Sequence, residues 1–271
     1  MPFKTLLTHV VADDACGARL RTSGGVARSF GSRLVGLGAQ APWPYADDAD
    51  GGGAVFARIV RAVDAEIAAA RTAFQAAFAG GDLETEWRAH VAYPIAAMAR
   101  RAAAADLILA WRGPADADPS IHASPDALVM ETGAPVLVAP TRETPFKGET
   151  VLVAWKNTRE ARRAVSAALP ALARARRVIL AAVCAPDDLD DARQDLADAA
   201  ARLARHGIAT EILAEPVLES ASHTLSRLAD QSGADLVVAG AYGHSRLREW
   251  VLGGVTRDLI ADADRWVLLS H

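Results

Sequence analysis

The stretch Asp235 to Ile260, DLVVAGAYGHSRLREWVLGGVTRDLI, holds the residues best suited to chemistry. An apolar run ends on Gly240, Gly243 follows, and Gly253-Gly254-Val255-Thr256 opens a helical pattern. Glycines at a strand's end let the backbone approach a ligand, and a helix N-terminus presents unpaired N–H groups with partial positive charge. Together these features make an anion cradle; they are also what a glycine-rich structural turn requires. His244 and Arg246 lie inside the segment as candidate phosphate contacts, and Tyr242 as a ring to stack on a base or cover the loop. A second cluster, Lys156-Asn157-Thr158, follows the apolar run VLVAW. Lys156 can neutralise a phosphate but cannot accept a hydrogen bond from a ribose hydroxyl.

The elements that must position these residues occur twice. Ala105-Asp106-Leu107-Ile108-Leu109-Ala110 reappears as Ala234-Asp235-Leu236-Val237-Val238-Ala239, and Pro135-Val136-Leu137-Val138 matches Trp266-Val267-Leu268-Leu269. Near the start of each half, Leu6 to Val10 corresponds to Val151 to Trp155, and Arg33 to Leu37 to Arg177 to Ala181. A period of this length marks a duplicated unit. Continuous apolar runs without polar alternation read as strands buried on both faces of a parallel sheet. Between them lie alanine-rich helical patterns, 55–79 in the first half and 159–175 in the second. Each half thus reads as an open five-stranded parallel sheet, order 3-2-1-4-5, with helices on both faces.

In the second half the spacing predicts strands at 151–155, 177–183, 209–214, 235–239 and 266–270, with helices at 158–174, 188–206, 220–232 and 254–263. The expected domains are 1–140 and 150–271, joined by a linker at 141–149 that contains Pro145 and Gly148. Ala41 to Gly53 is a Pro, Asp and Gly loop. In a 3-2-1-4-5 sheet, ligands settle beyond the carboxyl ends of strands 1 and 4, so Lys156 and Thr158 should face Gly240 and Gly243. The apolar edge strands 135–139 and 266–270 need cover, which pairing with each other or across a homodimer would supply.

The spacing Gly240-x2-Gly243-x9-Gly253, the following Val255-Thr256 and the duplicated unit resemble the universal stress protein family in its tandem two-domain form. The resemblance implies a flavodoxin-like or Rossmann-like fold and, where the loop is retained, ATP or a related adenine nucleotide with its phosphates on the glycine motif, Mg²⁺ entering only with the nucleotide. Gly240, Gly243 and Gly253 match the family glycines, and Thr256 the second hydroxyl position after the last of them. Gly254 stands where the family carries Ser or Thr. Lys156 replaces the usual Asp after strand 1, with Thr158 at the usual Ser. The first half departs further: Trp111 replaces Gly240, and Arg112 to Pro119 replaces the loop. An indole there fills the space a phosphate needs, so no nucleotide is expected in this half, and Asp13 and Asp14 read as surface or capping residues. The family also contains members that bind no nucleotide and act as scaffolds or regulators.

Composition sets the remaining bounds. The 271 residues are 51% apolar with 29 basic and 33 acidic side chains, which excludes a disordered chain and argues against nucleic-acid binding. No apolar run reaches a membrane span and no signal peptide is recognisable, so a cytoplasmic address is expected. Cys16 and Cys184 cannot form a disulfide framework. The seven histidines show no metal-ligand spacing, and neither a GxSxG elbow nor a GxxxxGK[ST] loop occurs. At most slow ATP hydrolysis is expected.

Overall fold

The computed structural model describes residues 2–42, 52–113, 116–241, 254–261 and 264–271. The chain clusters into two compact units, one of residues 3–134 and one built on 135–271.

In the first unit, β1 (Thr5–His9), β2 (Arg33–Gln40), β3 (Thr85–Val91) and β4 (Leu107–Ala110) form a parallel array in the order β3-β2-β1-β4. Helices α1 (Cys16–Phe30), α2 (Gly52–Ala77), α3 (Pro94–Ala102) and α4 (Pro125–Thr132) connect or follow the strands. The second unit contains β5 (Val136–Val138), β6 (Thr150–Ala154), β7 (Arg177–Cys184), β8 (Glu211–Pro216), β9 (Leu236–Gly240) and β10 (Trp266–Ser270). Its helices are α5 (Arg159–Leu172), α6 (Leu189–Ala204), α7 (Ala221–Ser232) and α8 (Gly254–Ala261). The order β8-β7-β6-β9-β10, parallel throughout, is the expected 3-2-1-4-5 winding.

The apolar runs behave as strands because both of their faces are covered. Val151, Leu152, Val153, Leu236, Val237 and Val238 are all at most 1% exposed. The outer edge of β10 is occupied by β5, which pairs with it antiparallel, Val267 opposite Val138 and Leu269 opposite Val136. The matched apolar edges at 135–139 and 266–270 therefore cover one another, and β5 counts with the second unit. Within the linker, Phe146 packs edge-on against Trp266 with ring centroids 5.3 Å apart.

The repeated Ala-Asp-Leu sequence has a physical reason. In the first unit the Asp106 carboxylate accepts from the backbone N–H groups of Lys4 (2.8 Å) and Thr5 (2.9 Å). In the second, Asp235 accepts from those of Glu149 (3.0 Å) and Thr150 (3.3 Å). Each aspartate thus ties the entry of strand 1 to the entry of strand 4. The strand expected at 209–214 instead starts at Glu211. Gly207, at φ 75°, closes α6, and the Ile208 amide bonds back to the Leu203 carbonyl, so these residues belong to the helix end.

Candidate functional site

Strands β6 and β9 are parallel neighbours, with Ala154 in register with Ala239. The chain leaving β6 passes through Trp155-Lys156-Asn157-Thr158 and enters α5. Thr158 is the N-cap: its Oγ1 accepts from the Ala161 amide at 3.3 Å, and its hydroxyl also bonds the Glu160 carboxylate. Asn157 donates to Asp195 (2.8 Å) and accepts from Arg162, which fixes the turn from both sides. Lys156 is exposed.

At Gly240 the first turn of α5 meets the end of β9. A Cβ there would lie 2.5 Å from the Ala161 nitrogen and 2.6 Å from the Glu160 carbonyl carbon. The glycine is needed so that helix backbone can rest on strand backbone, and it brings the Thr158 cap beside the end of β9. Gly254, the first residue of α8, is different: it is exposed, and a Cβ added to it meets nothing within 4 Å. Val255 is half-buried and Thr256 is buried in the same turn. Gly243, Gly253, Tyr242, His244 and Arg246 lie outside the described residues.

Two further residues stand at this edge. Glu160 is 2% exposed. Burial pushes its carboxyl up, but the hydrogen bond from Arg159, its own backbone amide, the Arg159 charge and the Thr158 hydroxyl together hold it below the ordinary glutamate value. Trp155 is 8% exposed, and its indole Nε1 is a buried donor with no partner among the described residues. Sequence reasoning passed over both. A glutamate in a helix's first turn reads as ordinary dipole complementarity, and a tryptophan at a strand end reads as core.

Residues 148–271 match the profile of the universal stress protein family. The C-terminal unit belongs to the universal stress protein family. A universal stress protein from Archaeoglobus fulgidus DSM 4304 superposes with a TM-score of 0.71 at 13% identity, over 98% of this chain and 97% of that one. A functionally unknown protein from Pseudomonas aeruginosa PAO1 gives 0.60 at 17% identity, over 99% and 92%. These likenesses extend the fold to both halves. A universal stress protein family member from Burkholderia pseudomallei is 28% identical over 46% of this chain and 98% of its own, with a TM-score of 0.37. No curated protein matches the chain in sequence.

The edge of the first unit that corresponds to the universal stress protein loop is built differently. Trp111, directly after β4, lines a crevice with His9, Cys16, Arg19 and Leu20 that is too small to admit a water. His9, at the end of β1, bonds through Nε2 to the Ala39 carbonyl at 2.8 Å. Burial drives its imidazole down to about 4, against the pull of that hydrogen bond and with His122 and Arg19 adding to the fall. Burial likewise pushes the Cys16 thiol up, so it is held as the unreactive thiol. Asp13 is an exposed partner of Arg19. Among the described residues no group of His, Cys, Asp and Glu is arranged to hold a metal ion, and no helix is long and apolar enough to cross a membrane.

Proposed function

We propose that the second unit binds ATP or a related adenine nucleotide beyond the carboxyl ends of β6 and β9, as a cytoplasmic component of a stress response. The observation that carries this reading is the family match over residues 148–271 combined with the start of α8. There, Gly254, Val255 and Thr256 form the first turn of α8, the end of a helix that favours an anion, and the space over Gly254 is open. Lys156 supplies a cationic side chain at the neighbouring strand end, and Gly243 and Gly253 complete the glycine set that the family resemblance implies. Gly240 contributes by letting α5 close on β9, and Thr158 by capping α5. The orphan Nε1 of Trp155 is a buried donor that a polar ligand would satisfy. Mg²⁺ enters only as a companion of the nucleotide.

The first unit takes no part in nucleotide binding, since Trp111 and its neighbours leave no room. Binding, rather than turnover, is the function, with at most slow hydrolysis. Calorimetric titration of ATP, ADP and AMP tests the reading, paired with hydrogen exchange over 240–256. Heat together with protection, both abolished by Gly243→Val, supports it. No heat and no protection leaves the other reading, a scaffold or regulator acting through protein partners.

A further inference from the structure

In the first unit β3 is an edge strand: β2 pairs with it on one side, and among the described residues no strand does so on the other. In a parallel ladder, alternate residues turn both backbone groups to the same neighbour. The Glu84 carbonyl and the Ala92 amide bond β2, at Leu34 and Gln40, so the even-numbered residues of β3 face β2. Thr85, Trp87, Ala89 and Val91 therefore point their N–H and C=O groups outward. Trp87 is half-buried while Ala89 and Val91 are exposed, so this edge is open. The matching strand β8 is blunted instead. The Val217 amide bonds Cys184 of β7, which turns the residue before it outward, and that residue is Pro216, with no N–H to offer.

The side chains differ in the same sense. Trp87 packs on Phe74 of α2, so Glu86, Arg88 and His90 lie on the opposite face, where Arg101 of α3 reaches His90. Arg33 and Glu86, paired at 3.0 Å, stand where Arg177 and Glu211 stand in the second unit. By that register Arg88 matches Leu213, and His90 matches Glu215, which neutralises Arg227 of α7. In the first unit Arg88 shares Glu86 with Arg33, and Arg101 donates to His90 Nε2 at 3.1 Å with no carboxylate of its own among the described residues. One carboxylate thus answers three guanidinium groups beside the open edge, whereas two answer two beside the blunted one.

We infer that the edge of β3 takes an extended acidic segment of a partner protein as an added strand. The segment's backbone pairs with the outward groups of Trp87, Ala89 and Val91. Its acidic side chains, at alternate positions, meet Arg88 and Arg101, and the apolar ones between them lie beside Ala89 and Val91. A second copy of β3 fits poorly, because antiparallel pairing about the strand's centre sets Arg88 against Arg88. The surface belongs to the first unit and stands whether or not the second unit binds a nucleotide.

The test uses the full chain and three end-blocked hexapeptides of alternating Glu-Val, Lys-Val and Glu-Pro, with affinity and the exchange of the Trp87, Ala89 and Val91 amides as readouts. Glu-Val should bind about tenfold tighter than either control and slow the exchange of those amides. Arg88→Leu combined with His90→Glu, the residues β8 carries at the matching places, should erase the preference for Glu-Val over Lys-Val. Ala89→Pro, which deletes an outward N–H and no ladder bond, should weaken Glu-Val by a similar factor. Glu-Pro binding as tightly as Glu-Val would mean charge attraction without strand pairing and would overturn the proposal. Equal affinity for Glu-Val and Lys-Val, binding that leaves the β3 amides unprotected, or no binding would do the same. Protection that grows with protein concentration alone would give the edge to a second copy, also against the proposal. If either variant fails to fold, the ranking of the peptides on the unaltered chain still decides.

Discussion

The backbone of Ala161 occupies the position that a side chain at Gly240 would need, 2.5 Å from an added Cβ. Helix α5 is thereby seated on β9, and the Thr158 cap and the Lys156 turn are carried to the strand end where the candidate site lies. Gly240→Ala should cost about 1 to 3 kcal/mol or more, because both clashing atoms are backbone and cannot turn away. Gly254→Ala should be neutral or stabilising by up to about 1 kcal/mol, since its Cβ meets open space. Urea unfolding of the two variants should separate them clearly, and equal stabilities would contradict the packing role.

Gly254→Ser restores the hydroxyl that the family resemblance places after the last glycine, at a position with room for it. Nucleotide affinity should rise several-fold in calorimetric titration, as one added hydrogen bond is worth about 1 kcal/mol. A fall in affinity would mean that the start of α8 does not meet the phosphates.

Lys156→Asp reverses the charge of an exposed side chain just past the end of β6. Affinity should drop more for ATP than for adenosine, and the salt dependence of ATP binding should weaken, because a solvated cation acts mainly by screened attraction to phosphate. Equal loss for both ligands would place the lysine against the nucleoside instead.

Trp155→Phe removes a buried donor that has no partner among the described residues. Unliganded stability should stay within about 1 kcal/mol of the parent or increase, since no internal hydrogen bond is broken. If a bound nucleotide uses that donor, its affinity should fall in the same variant. A large loss of unliganded stability would show that the indole N–H is satisfied in the folded chain.

The His9 imidazole titrates near 4 in the folded chain, below its ordinary 6.5. As pH falls through that window, the unfolded chain takes up a proton that the folded one refuses. Stability is therefore full above 6.5 and declines toward 4, by about 1 to 2 kcal/mol between pH 7 and pH 5. His9→Gln, which keeps a donor for the Ala39 carbonyl, should flatten this part of the pH–stability curve. An unchanged slope would assign the acid sensitivity to other groups.

Sequence alone determined the duplication, the strand and helix types and the 3-2-1-4-5 winding of the second unit. These rest on patterns confined to short windows: doubly buried strands read as unbroken apolar runs, and amphipathic helices as a 3.6-residue period. It also marked Trp111 as the residue that closes the first unit's edge. Other features depended on which atoms meet across the fold. The seating of α5 on Gly240 and the engagement of the Thr158 hydroxyl in the α5 cap are contacts of this kind, made between segments far apart in the chain or set by a turn that spacing does not fix. The hydrogen bond from Ser222 to Asp258 became visible only once α7 and α8 were set side by side, because linear spacing carries the distance between side chains only within a single element.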